Sequence, residues 1–211
     1  MSEAAQTVKR AMDWEQVDLY RFFANALAEP GAQRFAWFCQ PGFAEGLAEL
    51  WTDLGCEGDF PGFEFFDEDG EYESTYIALF DVGVPEPPVP LLESAHCRSV
   101  PAQQTALENA SFYEVLGLKV DPARTAPDHL LTQLEFLSVA RYLRENAENQ
   151  GSRTNLAQLE KDFLQRHLLN WVPAAREKLA RCSVPAFSTL LSLLLAFLRA
   201  EEQRLADSLP H

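Results

Sequence analysis

The sequence predicts an all-α protein, a single-domain irregular helical bundle of about ten helices, and three observations carry that reading. Apolar residues recur at spacings of three and four through most of the 211 residues, which lines one face of a helix. Sustained period-two runs are absent, and the one Asp-Gly pair, Asp69-Gly70, stands among acids instead of between β-branched segments. Proline and glycine punctuate the chain at intervals that suit helices of ordinary length.

Taken in order, Val17, Tyr20, Phe23 and Leu27 form a first helix that begins near Trp14 and stops at Pro30-Gly31. A short helix through Phe35 and Phe38 ends at Pro41-Gly42, and Phe43, Leu47, Leu50, Trp51 and Leu54 make a third, ending at Gly55. Residues 56–70 mix acids and turn formers with Phe60, Phe63, Phe65 and Phe66, and read as a loop with apolar contents. Tyr72, Tyr76, Ile77 and Phe80 return to helix. Residues 81–101 form a second loop, because Pro85, Pro87, Pro88 and Pro90 bar both a helix interior and a central strand.

Helix resumes at Gln103 with Leu107, Ala110, Phe112 and Leu118, breaks at Asp121-Pro122, and continues over residues 129–148 until Gly151. Leu156, Leu159, Phe163, Leu168 and Trp171 mark the helix over residues 155–178, with Pro173 as a kink or a break. The last helix covers residues 186–206. Its most apolar part, residues 184–198, is short of the roughly 20 residues a bilayer requires, so it reads as a buried core helix. Residues 1–13 are expected to be a flexible N-terminus and residues 14–207 one helical domain with its loops at 56–70 and 81–101.

With 47% hydrophobic residues, a chain of this length fills one core. Seventeen basic against thirty-two acidic residues give a formal charge of −15, which repels nucleic-acid phosphates and anionic lipid. The charge suits a cationic partner, or solubility alone. Cys39, Cys56, Cys97 and Cys182 show no C-x-x-C spacing and read as separate thiols of a reducing compartment. No apolar segment follows Lys9 and Arg10, so the start does not read as a secretory signal and a cytoplasmic location is expected.

Catalytic patterns are sparse. No Gly-Lys pair exists for a phosphate-binding loop, and a carboxylate-bridged metal pair needs two Glu-x-x-His turns where only Glu93 to His96 is present. No metal and no resident cofactor are expected. Asp128-His129 is the one carboxylate-imidazole pair suited to acid-base work, but no third group accompanies it. The segment Thr125-Ala-Pro-Asp128 also has the form of a helix cap, with Pro127 in the first turn and Asp128 near the positive helix end.

Pro127-Asp128-His129, opening a long amphipathic helix near mid-chain, resembles the P-x-D-H type signature of TorD/DmsD-like redox enzyme maturation chaperones, with Thr125 and Ala126 where that family often has glutamate. Tyr76-x-x-x-Phe80 before a proline-rich loop, Glu93-Ser94 after it, and His167-Leu-Leu-Asn-Trp171-Val-Pro173 further on are similar to the family in order and spacing. The segment from Leu79 to Ser94 also resembles the branch serving type II enzymes of the dimethyl sulfoxide reductase family.

The resemblance implies a TorD-like fold and a cytoplasmic chaperone that binds the catalytic subunit of a molybdenum oxidoreductase and its twin-arginine signal peptide, holding back export until molybdopterin is inserted. It implies no catalytic residue, transient molybdopterin or guanine nucleotide binding at most, and a monomer or dimer. A twin-arginine peptide is cationic and then apolar, so its receptor pairs carboxylates with an apolar groove. On that reading Glu93, Asp128 and Asp81 meet guanidinium groups, Tyr76, Phe80, Pro87, Pro88 and Leu91 line the groove, and Ser94, Pro127 and His129 complete the site. His129 beside Asp128 is expected to hold its proton more readily. Two alternatives are a small hydrolase using an Asp128-His129 dyad and an acidic assembly adaptor binding through residues 56–70.

Overall fold

The computed structural model describes residues 13, 14, 16–121 and 125–209; residues 1–12 of the expected N-terminal arm, and Pro122 in the expected break, lie outside the described residues. Among the described residues nine α-helices follow one another: α1 (Leu19–Ala26), α2 (Ala32–Phe38), α3 (Phe43–Asp53), α4 (Asp69–Tyr76), α5 (Ala102–Val115), α6 (Leu130–Glu145), α7 (Gln150–Phe163), α8 (Leu169–Ala180) and α9 (Pro185–Ser208). Two π-helical segments, Ile77–Asp81 and Leu164–Leu168, extend α4 and weld α7 to α8, so the nine helices form eight continuous rods. No strand occurs among the described residues; one isolated antiparallel bridge joins Leu92 to His129.

Pro173, expected to mark a kink or a break, sits inside the continuous helix α8, which the π segment Leu164–Leu168 joins to α7. The long loops also contain more helix than their composition suggests. Asp69 and Gly70 open α4, and Glu93–Ala95 form a short 3-10 turn within residues 81–101.

Helix α6 packs against α1 and α7, and α9 against α8, α7 and α1. The apolar run of α9 is interior on nearly every side, with Leu190, Leu193, Leu194 and Leu198 fully buried. No helix among the described residues is long and apolar enough to cross a membrane. The phenylalanines of the 56–70 loop fold inward. Phe65 stacks near Phe38 with ring centroids 4.4 Å apart, Phe66 meets Phe187 of α9, and Thr189 of α9 donates to the Gly62 carbonyl at 3.0 Å. The apolar half of this loop is thus used inside the molecule, which leaves the adaptor reading only its acids.

Candidate functional site

The site grows from the place where the proline loop meets the start of α6. Two backbone bonds pin them together: Leu130 donates to Leu91 at 2.9 Å and Glu93 donates to Asp128 at 3.0 Å. The cap of α6 differs from the expected one. His129 is the N-cap, its Nδ1 accepting from the Leu131 N–H at 3.2 Å, while the Asp128 carboxylate turns away to accept from the Ser94 N–H at 3.0 Å. Pro127 and Asp128 therefore form a turn ahead of the helix instead of its first turn. The two side chains also point to different partners, so Asp128-His129 is not a catalytic dyad.

Beneath this turn lies a buried polar knot. Glu93 is 4% exposed and His167, from the π segment, 1%. Glu93 Oε2 accepts from Asn109 of α5 at 2.9 Å and from Gln133 of α6 at 2.6 Å, and His167 Nδ1 lies 3.0 Å away. Trp171 Nε1 donates to Gln133 Oε1 at 3.0 Å, and the Tyr113 hydroxyl donates to the Pro127 carbonyl at 2.6 Å. Burial beside Glu93 and Asp128 pushes the Tyr113 phenol far up, so it remains a donor. His96 Nε2 lies 2.8 Å from the Pro90 carbonyl oxygen and its ring stacks on Trp171. The Glu93 to His96 pair is therefore split between two networks, and no group of three or more metal-binding side chains occurs among the described residues.

These contacts correct the expected assignment of roles. Glu93 and Asp128 do not face an incoming guanidinium; both are buried and already accept hydrogen bonds from the protein. Tyr76, Phe80 and Leu91 do not line a surface groove either. Tyr76 donates from its hydroxyl to the Leu27 carbonyl at 3.0 Å, and Tyr76 and Phe80 pack on Phe187. Leu91 is 2% exposed. Pro88 and Asp81 are exposed, and Pro87, Ser94, Pro127 and His129 are half-buried. Burial also lowers the His129 pKa below its usual value, and the opposing pull of Asp128 and Glu29 does not reverse this. The expected gain in proton affinity is overturned because desolvating an imidazolium costs more than the two nearby carboxylates return.

Two surface features lie near the Pro127–His129 turn. The first is an acid pair: Glu29, which acts on His129, also acts on Asp81 at the end of the Ile77–Asp81 π segment, whose carboxyl is raised by burial and then by the Glu29 carboxylate. Among the described residues neither acid is paired with a lysine or arginine, which is unusual for two carboxylates that repel each other. The second is a 410 Å³ groove beside α5, lined by Ala106, Leu107, Ala110, Leu118, Val120 and Pro127. Leu107 remains 61% exposed. Sequence reasoning found Asp81, Pro127 and the segment that begins at His167, but missed Glu29, Asn109 and Gln133 and the pairing of His167 with Glu93. Only the uneven amphipathicity of α5, apolar at Leu107 and Val115 as well as on its inner face, could have signalled the groove.

Residues 62–177, more than half of the chain, match the family model described as nitrate reductase delta subunit. The chain is 26% identical over 197 residues to a perchlorate reductase assembly chaperone protein of Dechloromonas aromatica strain RCB, covering 86% of each. It is 30% identical over 141 residues to a selenate reductase assembly chaperone protein of Thauera selenatis, covering 65% of this chain and 72% of that one. A chaperone protein TorD of Vibrio cholerae serotype O1 is 31% identical over 93 residues, covering 43% of this chain and 42% of its own. With the matched segment spanning the proline loop, the capped turn and the buried knot, the chain belongs to the TorD family of redox enzyme maturation proteins.

Proposed function

We propose that this chain is the dedicated assembly chaperone of a molybdenum oxidoreductase, binding the apo catalytic subunit through its twin-arginine signal peptide in the cytoplasm until molybdopterin is inserted. The relatives named for perchlorate and selenate reductase assembly support the class of client. The observation that carries the peptide site is an apolar groove lined by Pro127 together with an acid pair, Glu29 and Asp81, of which Glu29 acts on the neighbouring His129. A cation between the two carboxylates relieves their repulsion, and the groove takes the apolar segment that follows. Pro127 and His129 contact the peptide at the crossing, whereas Glu93, Asp128, Tyr76, Phe80 and Leu91 hold the shape from below. The protein works by binding, with no chemical step.

The test is titration of a fluorescent twin-arginine peptide from the client, identified by pull-down from native cells. Asp81→Asn and Leu107→Asp are each expected to weaken binding about tenfold, about 1.4 kcal/mol, and raising salt to weaken the wild type but not Asp81→Asn as steeply. Binding that ignores both substitutions sinks this site.

A further inference from the structure

A cleft of 680 Å³ opens where the end of α3 meets α8 and α9, and the geometry points to it as a binding site for a small organic carboxylate. Trp51, Leu54, Pro173 and Leu195 supply its apolar lining, and Arg176 of α8 and Arg199 of α9 its positive charge. It shares no lining residue with the groove at Pro127. A concave, partly apolar surface of this size with a few convergent charged groups is the usual form of a small-molecule site.

Both arginines are available to a ligand. Although acids outnumber bases thirty-two to seventeen, neither Arg176 nor Arg199 has an ion-pair partner among the described residues. The acids one turn from Arg199 on α9 are engaged elsewhere: Glu201 pairs with Arg204 at 2.6 Å, and Glu202 accepts from Gln165 at 2.6 Å. Arg176 is oriented without being neutralised. Its Nε donates to the Ser192 hydroxyl at 3.2 Å, from α8 to α9, which leaves the two Nη groups of the fork for an oxyanion. Trp51 is held as well, its Nε1 donating to the Gly58 carbonyl at 3.1 Å and its ring meeting Phe60 edge-on. Groups already fixed in place lose little entropy when a ligand arrives.

Charge selects a carboxylate over a phosphate. Glu57 and Glu177 also line the cleft, both exposed and neither within ion-pair distance of an arginine. Burial pushes the Cys56 thiol up, so that side chain adds no further charge. Two guanidinium groups and two carboxylates leave the cleft formally neutral. The attraction such a cleft offers grows in proportion to the ligand's charge, whereas the cost of desolvating the ligand grows with its square, so a monoanion is favoured over a dianion. The apolar lining adds the second requirement, a ring-sized apolar body that packs beside Trp51 and Leu195. None of this depends on the client or on the position of the peptide site.

The experiment is calorimetric titration of the full chain with phenylacetate, its neutral counterpart phenylacetamide, and phenyl phosphate. Phenylacetate is expected to saturate with a Kd on the order of 1 mM, with the other two at least about tenfold weaker. Arg176→Gln and Arg199→Gln are each expected to weaken phenylacetate about tenfold. Glu177→Gln is expected to tighten it about threefold, a gain that a damaged fold does not produce. Twin-arginine peptide affinity within about twofold of wild type in all three variants shows that they fold and that the cleft is separate from the peptide site. No saturation by about 20 mM phenylacetate, equal binding of acid and amide, or an affinity indifferent to both arginines overturns the inference. Tighter binding of phenyl phosphate overturns the carboxylate assignment, and loss of peptide affinity in the arginine variants overturns it by making the cleft part of the peptide site.

Discussion

Helix α6 carries a buried polar cluster at each end, roughly 16 Å apart by helical rise, and the two are built differently. At its N-terminal end Gln133 joins Glu93, Asn109 and His167, where a carboxylate is surrounded by amide and imidazole donors from α5, α6 and the π segment. At its C-terminal end Arg144 pairs with Glu160 of α7 at 2.7 Å, and Arg204 with Glu201 of α9 at 2.6 Å. Pairing is incomplete in both, and more so in the second: His167 Nε2 in the first, and Glu160 Oε2, Arg144 Nη2 and the Tyr20 hydroxyl in the second, are buried with no hydrogen-bond partner among the described residues. The first cluster ties a loop to helices, while the second ties helices to one another. A loop has no apolar face broad enough to fix its position, so directional bonds must do it. Helices already fixed by packing tolerate imperfect polar contacts.

The largest effect expected from this contrast is at Glu93. Glu93→Ala leaves donors of Asn109, Gln133 and His167 without their acceptor, and each stranded buried donor costs about 1–3 kcal/mol. A loss of at least about 3 kcal/mol in urea denaturation is expected, together with loss of peptide binding. A loss under about 1 kcal/mol would break the comparison, since the knot would then be no more important than a surface contact.

The ionic cluster is expected to respond less and to be replaceable. Burial, partly offset by Arg144, raises the Glu160 carboxyl above its ordinary range. A folded-state value above the unfolded one means that its ionisation costs stability at neutral pH, a cost relieved as pH falls through the folded value. Glu160→Leu alone strands Arg144 and costs about 1–3 kcal/mol. The double change Glu160→Leu/Arg144→Met returns to within about 1 kcal/mol of wild type, because well-packed apolar residues often replace a buried pair at little cost. A double variant that remains as unstable as the single one would make the two ends of α6 alike.

The smallest effect concerns the cap that joins the knot to the surface. Because burial lowers the His129 pKa below 6.5, its contribution is complete above that value and lost as pH falls through the folded value. Protonation takes the Nδ1 lone pair from the Leu131 N–H, so about 1 kcal/mol of capping disappears. Amide exchange at Leu131 in wild type should quicken on acidification relative to His129→Asn, whose cap does not titrate. Parallel profiles would show that the cap contributes nothing to holding the turn.

Much of the site was legible as sequence but with its roles exchanged. Pro127, Asp128, His129, Glu93 and the proline loop stand out by residue type and spacing, and the structure gathers them around one turn. Whether a carboxylate faces solvent or a buried amide is a question of burial, and residue type does not answer it. Gln133 was indistinguishable from other polar residues on helices, and His167, though it opens a family-like segment, gave no sign of its partner, because Glu93 lies 40 and 74 positions away in the chain. Glu29 escaped notice for the same reason: only folding brings it close enough to Asp81 to matter.

What the sequence by itself determined is the helical class, the order of the elements, the net acidity and the loop positions, since periodicity, breakers and charge are local properties. What only the tertiary structure decided is which acids are spent inside and which remain for a partner. It also decided that Pro173 sits inside a continuous rod and that the phenylalanines of residues 56–70 pack, partly buried, against the core. Each of these depends on desolvation and on contacts between residues far apart in the chain, and such contacts exist only once the helices have packed.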